Sequence, residues 1–417
     1  MLNDILENLP LFLSAFFFIY FIITILSKKY VYNILDPASI TNIMISISLT
    51  DIFFLYRQEQ VILEELLKVF CLTFAFYAGI YILSLFFKRK AMARSIQELA
   101  NNFSTRDLRL IYFSAVVAIL LYAYFSIQML SVSIADERIL LAKNNRILDV
   151  LKNGFSTYFL VSSFLYLALT KKKSYIPLAL VVYGLLGFLS GSKSFLTSFV
   201  FLYAFFYGIK MSCSETVSQS RIKQFLASVT GIILIIVSAF CVLLFWRGDA
   251  DIAYYTLLSR ILNAGDIYNY SYVFGDYQNL YGKYDFFGYI FHPFLKMIGL
   301  QGYEYPLGAE LYGLMGRDVE GYGPNPHLPI LLLTLTQGNF PVALMVSLLF
   351  GGVYGSLSLA INKVMAYKNV NNTFKLFVLC QYLAALPLFY LDIGMFEQAV
   401  ISLTITLLPM LFVRKIL

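Results

Sequence analysis

The residues that could carry chemistry in this chain are few, and most of them lie between positions 246 and 339. Arg247, Arg260 and Arg317 are the arginines of interest in this stretch. A guanidinium binds phosphate oxygens in bidentate geometry and keeps its charge at any working pH. Structural alternatives stay open, because Arg247 could anchor a helix end, Arg260 lies in an amphipathic pattern, and Arg317 could pair with Asp318. We predict that all three arginines contribute to a phosphate or diphosphate site.

His327, in the turn-rich run PNPH, is the clearest candidate for proton transfer. An imidazole with an ordinary pKa of about 6.5 can take a proton from an attacking hydroxyl near neutral pH. The carboxylates of Asp318 and Glu320 are alternative bases, and their spacing does not choose between them. His292, between aromatic residues in FHPF, is predicted to pack. The catalytic candidates are therefore His327, Arg317 and Glu320.

A further cation, Lys193, lies in the run GSKS at 191–194, which joins two apolar segments of about 15 residues. Helices of that length span roughly 22 Å, less than the hydrocarbon core of about 30 Å, so the turn is expected below the membrane surface. A serine cap, the helix N-terminus and the Lys193 ammonium would together bind the same diphosphate. The alternative is an ordinary hairpin whose lysine reaches the headgroups.

Composition restricts the function classes. The chain has 417 residues, of which 59% are hydrophobic and 13% charged, far from the roughly half and a quarter of soluble domains. A soluble enzyme is excluded. No GxxxxGK[ST], HExxH, CxxC or GxSxG motif occurs, and the four cysteines are widely spaced. No cofactor, metal or nucleic-acid partner is predicted. Asp51, Asp392 and Glu397, within or at the ends of apolar segments, are candidates for a proton pathway.

The elements that must position these residues are membrane helices, and the predicted class is an all-α polytopic membrane protein. We predict eleven spans, counting about 20 apolar residues for each. They lie at 9–27, 38–56, 62–87, 110–132, 155–170, 176–190, 195–209, 225–245, 340–361, 374–391 and 395–413.

The distribution of basic residues predicts the orientation. Lys and Arg are retained on the cytoplasmic side, and the runs at 88–90, 171–173 and 414–415 are basic. Placing these runs inside gives the cytoplasmic loops a large basic excess and the external loops a net acidic charge, within a total of +7. The N-terminus is then external and the C-terminus cytoplasmic. Acids in the N-terminal run MLNDILENLP indicate a retained membrane helix rather than a signal peptide.

Three regions follow from this layout: an N-terminal bundle at 1–245 with about eight helices, an external loop at 246–339, and about three C-terminal helices at 340–417. The loop has 94 residues and 13 Tyr, and a loop of such length is typically functional. Within it, 252–262 has helical spacing. The apolar run 328–336 is too short to span, which predicts a re-entrant segment or a short helix entering the bundle.

Two stretches resemble the bacterial Wzy-type oligosaccharide repeat-unit polymerases, membrane glycosyltransferases related to O-antigen ligases. LSGSKSF at 189–195 is similar to the family's Ser-Arg turn between short helices, with Lys193 where Arg is more usual. GYGPNPHLPILLLTLTQGNFPVAL at 321–344 is similar to the stretch in which a His or turn-rich segment precedes a Gly, here Gly338.

This resemblance implies polymerisation of undecaprenyl-diphosphate-linked repeat units into O-antigen or capsule, at the outer face of the bacterial cytoplasmic (inner) membrane. The growing chain would be the donor and the terminal sugar of a new lipid-linked unit the acceptor. The leaving diphosphate would be stabilised by Lys193, Arg247, Arg260 and Arg317, with His327 as base or orienting group. A chain-length regulator would be an optional partner.

Two alternatives remain open from the sequence. The first is a ligase-like glycan transferase of the same fold. The second is a flippase or transporter of lipid-linked sugars, which would be expected to show internal repeats or broken helices; the long external loop favours chemistry instead.

Overall fold

The structure is a computed structural model, and every element among the residues that it describes is helical. The described residues are 2–28, 37–86, 105–129, 146–170, 174–189, 248–262, 265–300, 302–316, 324–366 and 385–416, with isolated positions between 202 and 244 and at 381–382.

The described residues form sixteen α-helices. They are α1 (Leu2–Glu7), α2 (Leu9–Ser27), α3 (Pro37–Arg57), α4 (Leu63–Phe86), α5 (Thr105–Met129), α6 (Arg146–Leu169), α7 (Ile176–Leu189), α8 (Ala250–Leu262), α9 (Asp266–Tyr268), α10 (Phe286–Ile290), α11 (His292–Met297), α12 (Leu307–Leu314), α13 (Leu328–Leu335), α14 (Phe340–Ala366), α15 (Leu388–Leu391) and α16 (Ile393–Ile416). A π-helical turn (Asn269–Val273) and a 3-10 turn (Tyr277–Leu280) follow α9.

Five described helices, α2, α3, α4, α5 and α14, are long and apolar enough to cross a membrane. Each coincides with a predicted span, so the all-helical membrane architecture is confirmed in outline. Apolar parts of α7 and α16 are shorter, and the span predicted at 155–170 is the C-terminal part of the longer α6. The spans predicted at 195–209, 225–245 and 374–391 lie largely outside the described residues, so the total of eleven stays a prediction.

Small residues bring α4 and α14 into backbone contact. A Cβ atom at Gly79 would overlap the carbonyl oxygen of Leu348, and one at Gly351 would overlap that of Phe76. The hydroxyl of Ser347 donates to the carbonyl of Leu72 at 2.7 Å. Close approach at small residues is typical of helix pairs in membranes, where packing rather than water exclusion holds helices together.

Helix α3 is the most polar of the five long apolar helices and also the most enclosed, since 72% of its most apolar 18-residue stretch is buried. Its Asn42 donates to Ser27 of α2 at 2.6 Å and accepts from the hydroxyl of Tyr77 at 2.7 Å. The Tyr354 hydroxyl of α14 donates to Thr41 at 3.3 Å. A polar helix in an apolar medium is stable only when neighbours satisfy its polar groups, so α3 packs among α2, α4 and α14.

The segment 246–339 is folded over its described residues. The predicted helical stretch 252–262 lies in α8, and the apolar run near 328–336 forms α13, whose residues are all buried. Residues 324–327 are not helical, as PNPH predicts. Helix α13 contacts α4 and α14, while α9 contacts α3. The run therefore forms a buried helix in contact with two long helices, while its placement in a membrane stays a prediction.

Candidate functional site

His327 lies at the N-terminus of α13 and is only 2% exposed. Its Nδ1 atom lies 2.9 Å from the hydroxyl oxygen of Ser48 on α3, a hydrogen bond between two buried side chains. Two tyrosines complete the surroundings: the ring of Tyr268 stands edge-on with a centroid distance of 6.1 Å, and the ring of Tyr390 lies at 6.3 Å. The imidazole is thus enclosed by residues from α3, α9, α13 and α15.

Asp51 lies one turn after Ser48 on α3 and is fully buried. Its Oδ2 atom accepts a hydrogen bond of 2.7 Å from the backbone N–H of Gly265, just before α9. A Cβ at position 265 would lie 2.9 Å from the Asp51 side chain and from the Ser48 carbonyl oxygen, so only glycine permits this approach. The other oxygen, Oδ1, is buried and has no hydrogen-bond partner among the described residues.

The tyrosine hydroxyls extend this polar group. Tyr390 shares a hydrogen bond of 2.7 Å with Thr73 of α4. The Tyr268 hydroxyl is buried near Ser48 and Tyr390, without hydrogen-bond geometry to either. We call His327, Ser48, Asp51, Tyr268 and Tyr390 the His327 cluster.

Burial controls the charge of His327. Desolvation lowers the pKa of the imidazole to about 3, because a buried site disfavours the cationic form. At neutral pH the ring is therefore uncharged, and it can accept or donate hydrogen bonds through a single tautomer. It is a weak proton acceptor in this state, which favours the orienting role over the general-base role of the two that the sequence left open.

A second cluster lies where the segment meets the start of α4. Glu65 accepts through Oε2 from the hydroxyls of Tyr272 at 3.2 Å and Tyr277 at 3.1 Å, and through Oε1 from Lys68 at 2.8 Å. Burial raises the pKa of both tyrosine hydroxyls, so both remain protonated donors. The exposed Glu64 also pairs with Lys68, at 2.7 Å. We call Glu65, Lys68, Tyr272 and Tyr277 the Glu65 cluster.

Most of the predicted site residues, or their side chains, lie outside the part of the chain that the structure describes. Arg260 belongs to α8, but its side chain lies outside the described part of the chain. Lys193, Arg247, Arg317 and Glu320 lie outside the described residues altogether, as does the alternative base Asp318. Their assembly around His327 stays a prediction.

His292 has the surroundings of a packing residue. Its Nδ1 accepts from the backbone N–H groups of Gly302 at 3.2 Å and Tyr303 at 3.3 Å, and its ring stacks on Tyr303 with a centroid distance of 3.6 Å. Among the proton-pathway candidates, Asp392 accepts at 3.0 Å from the N–H of Met395 at the start of α16, and burial raises its pKa to about 6.

Sequence reasoning missed Ser48, Tyr268, Tyr390 and Glu65. The available signal was α3 itself, where Ser48 and Asp51 stand one turn apart in a helix that must lie in apolar surroundings. Polar residues in such a helix face the protein interior and mark functional paths. Nothing in the spacing could indicate that His327 would meet them.

No group of three or more His, Cys, Asp or Glu side chains in the described ranges is arranged to hold a metal ion. Comparison with known proteins assigns the chain to no family: no family model, no curated protein and no solved structure matches it.

Proposed function

We propose that the chain is a membrane glycosyltransferase that polymerises undecaprenyl-diphosphate-linked oligosaccharide repeat units, as the resemblance to Wzy-type polymerases implies. One observation supports it most: His327, from the long segment between spans, is buried in the helix bundle against Ser48 and two tyrosines, and the buried Asp51 lies one turn after Ser48 on α3. Hydroxyls, an imidazole and a carboxylate in a water-poor site are suited to binding and activating a sugar hydroxyl.

The reaction would need no nucleotide or other energy source. The acceptor hydroxyl oxygen forms a bond to the anomeric carbon of the donor glycan, and the bond from that carbon to the diphosphate oxygen breaks. The electron pair leaves with undecaprenyl diphosphate, whose growing charge Lys193, Arg247, Arg260 and Arg317 would stabilise. The hydroxyl proton passes to a carboxylate, for which Glu320 is the sequence candidate and Asp51 the structural one.

His327 would act in this scheme as an uncharged hydrogen-bonding group that orients the acceptor. Ser48 would hold the ring in one tautomer and one rotation, as a positioning residue. Removing Ser48 should weaken the reaction without abolishing it, whereas removing His327 should cost more because the group that contacts the acceptor is lost.

The test is reconstitution of the purified protein in vesicles with a defined lipid-linked repeat unit and no nucleotide sugar. A ladder of products is expected. Arg317→Ala and His327→Ala should each lower the rate by about 100-fold or more, and Ser48→Ala by about fivefold to tenfold. Ser46→Ala is the matched control, because Ser46 is buried on the same helix and its hydroxyl donates to the backbone carbonyl of Asn42 in its own helix.

Two other functions predict different results. A ligase-like transferase would make one product and no ladder, and would require a separate acceptor lipid. A flippase would move the lipid-linked unit across the vesicle membrane without forming a glycosidic bond, and would keep that activity in Arg317→Ala and His327→Ala. Absence of any glycosidic product from folded protein would overturn the proposal.

A further inference from the structure

The segment 246–339 carries an apolar stripe that neither the His327 cluster nor the Glu65 cluster uses. It consists of Phe287, Phe291, Phe294, Ile298 and Leu300, which are between 46% and 72% exposed. These exposures are high for side chains of this size outside the spans. Large exposed apolar patches mark surfaces that contact a partner or a membrane.

The stripe is one face of a nearly continuous helical stretch. The N–H of Phe291 donates to the carbonyl of Phe287, and the N–H of Leu295 donates to the carbonyl of Phe291. These helical hydrogen bonds span the junction, so α11 continues directly from α10. Residues 287, 291, 294 and 298 have the spacing of a single helix face. The rings of Phe287 and Phe291 stack, 6.4 Å apart and nearly parallel.

The opposite face of the stretch is fastened to the protein. Tyr289, Ile290 and His292 are buried, and the Tyr289 hydroxyl accepts from the N–H of Leu307 at 3.3 Å. The stretch ends at Gly299, whose φ of +80° closes the helix, with the N–H of Leu300 bonding the Leu295 carbonyl at 2.8 Å. The exposed face therefore has a defined orientation relative to the bundle.

The stretch that carries the stripe lies at the end of an apolar helix of the bundle. Helix α11 packs against α16. Burial, Tyr303 and the nearby carboxylate of Asp392, immediately before α16, raise the pKa of the Tyr289 hydroxyl. The apolar part of α16, Ile393–Leu408, thus starts beside the stretch that carries the stripe. The end of an apolar bundle helix is the level of the membrane–water boundary, where aromatic side chains are enriched.

Charge agrees with this position. Residues 286–300 contain one charged side chain, Lys296, which is exposed. An amphipathic helix with aromatic and aliphatic residues on one face and a lysine beside them is typical of elements that lie in the plane of a membrane surface. Protein partners are less well suited, because a surface this poor in charge and polar groups at the edge of the bundle meets lipid first.

We propose that the stretch Phe286–Leu300 is a monotopic membrane anchor, with its apolar stripe inserted among the headgroups and upper acyl chains of the bilayer. The anchor holds the 246–339 segment against the membrane surface. It is independent of the glycosyltransferase assignment, because it requires only that the bundle spans a bilayer.

Tryptophan fluorescence of the full chain tests the anchor, since Trp246 is the single Trp. In a Trp246→Phe background, Phe291→Trp places the fluorophore on the stripe, and Phe294→Trp repeats the test at a second position. Gln278→Trp is the matched control, an exposed polar position of the same segment. The proteins are placed in phosphatidylcholine vesicles with or without bromine on the upper acyl chains, and iodide is supplied on both sides.

The stripe variants should lose most of their emission in brominated vesicles and little with iodide, whereas Gln278→Trp should do the reverse. Two results would overturn the anchor. Strong iodide quenching of both stripe variants means that the stripe faces water, and protection of both from either quencher means that protein covers it.

Discussion

The imidazole of His327 is held uncharged by its surroundings, and this decides which chemistry it can contribute. The ring is hydrogen-bonded to Ser48 and contacts Tyr268 and Tyr390, and desolvation by this burial lowers its pKa. Such an uncharged ring donates and accepts hydrogen bonds, as an amide does, and is a weaker base than a histidine with an ordinary pKa. The carboxyl group of Asp51, one turn after Ser48, has one buried oxygen without a hydrogen-bond partner among the described residues.

This charge state predicts how stability depends on pH. The unfolded chain binds a proton at His327 below pH of about 6.5, while the folded chain does so only near the lowered pKa of about 3. The unfolded state therefore binds more protons in this window, and stability falls as pH falls through it. His327→Asn, which cannot titrate, should unfold at a temperature that depends less on pH between about 6.5 and 4.

The measurement is the thermal unfolding midpoint in detergent across that pH range, for the wild type and the variant. His292→Asn serves as the comparison at a second buried histidine. Equal pH dependence in the wild type and His327→Asn would contradict the assignment of a strongly lowered pKa.

At the scale of elements, backbone contact between α4 and α14 is a specific property of their glycines. Gly351 and Gly352 are adjacent in the same helix, but a Cβ at Gly351 would overlap the backbone of Phe76, while one at Gly352 would meet nothing within 4 Å. The two positions therefore have the same helical backbone, and only Gly351 packs against the neighbouring helix.

Gly351→Ala should force the two helices apart and lower stability by about 1–3 kcal/mol, the usual cost of overpacking. Gly352→Ala should leave stability unchanged or raise it by up to about 1 kcal/mol, because alanine favours the helix. Unfolding in mixed micelles with a denaturing detergent measures both. Similar losses for the two variants would indicate that helix propensity or expression, and not interhelical contact, is responsible.

At the scale of the whole molecule, polar contacts besides the His327–Ser48 hydrogen bond also fasten the segment 246–339 to the bundle. Asp51 accepts a hydrogen bond from the N–H of Gly265, just before α9. Further along the segment, the hydroxyls of Tyr272 and Tyr277 donate to Glu65. Helix α13 then enters the bundle and places His327 against α3. The candidate site exists only in this docked arrangement, because its members belong to both parts.

Glu65→Ala should loosen the docked segment. The buried hydroxyl of Tyr277 would lose its acceptor, at a cost of about 1–3 kcal/mol, and the part-buried hydroxyl of Tyr272 would lose its acceptor at a smaller cost. Glu64→Ala is the control: that carboxylate is 69% exposed and forms a surface ion pair with Lys68, so its loss should cost far less. Limited proteolysis within 265–300 should accelerate in Glu65→Ala alone. Equal cleavage of both variants would contradict the role of Glu65 in holding the docked segment.

Local patterns in the sequence were sufficient for several elements. Continuous apolar runs predicted the five long helices, the spacing at 252–262 predicted α8, and the shortness of the run near 328–336 predicted the buried helix α13. These features depend on neighbouring residues, because a helix satisfies its backbone hydrogen bonds within its own segment. The sequence also singled out His327 as the polar residue placed beside α13.

The partners of His327 could not be found in the same way. Ser48 is 279 positions away from it, and a contact of that separation depends on how helices pack, since many registers would bury the same apolar surface. Burial by that packing also changed the expected chemistry, since an imidazole with an ordinary pKa near 6.5 becomes an uncharged group with a pKa of about 3. The sequence alone determined the membrane helices and a candidate histidine; the tertiary structure decided which side chains surround it, because desolvation and hydrogen bonding are properties of the packed site.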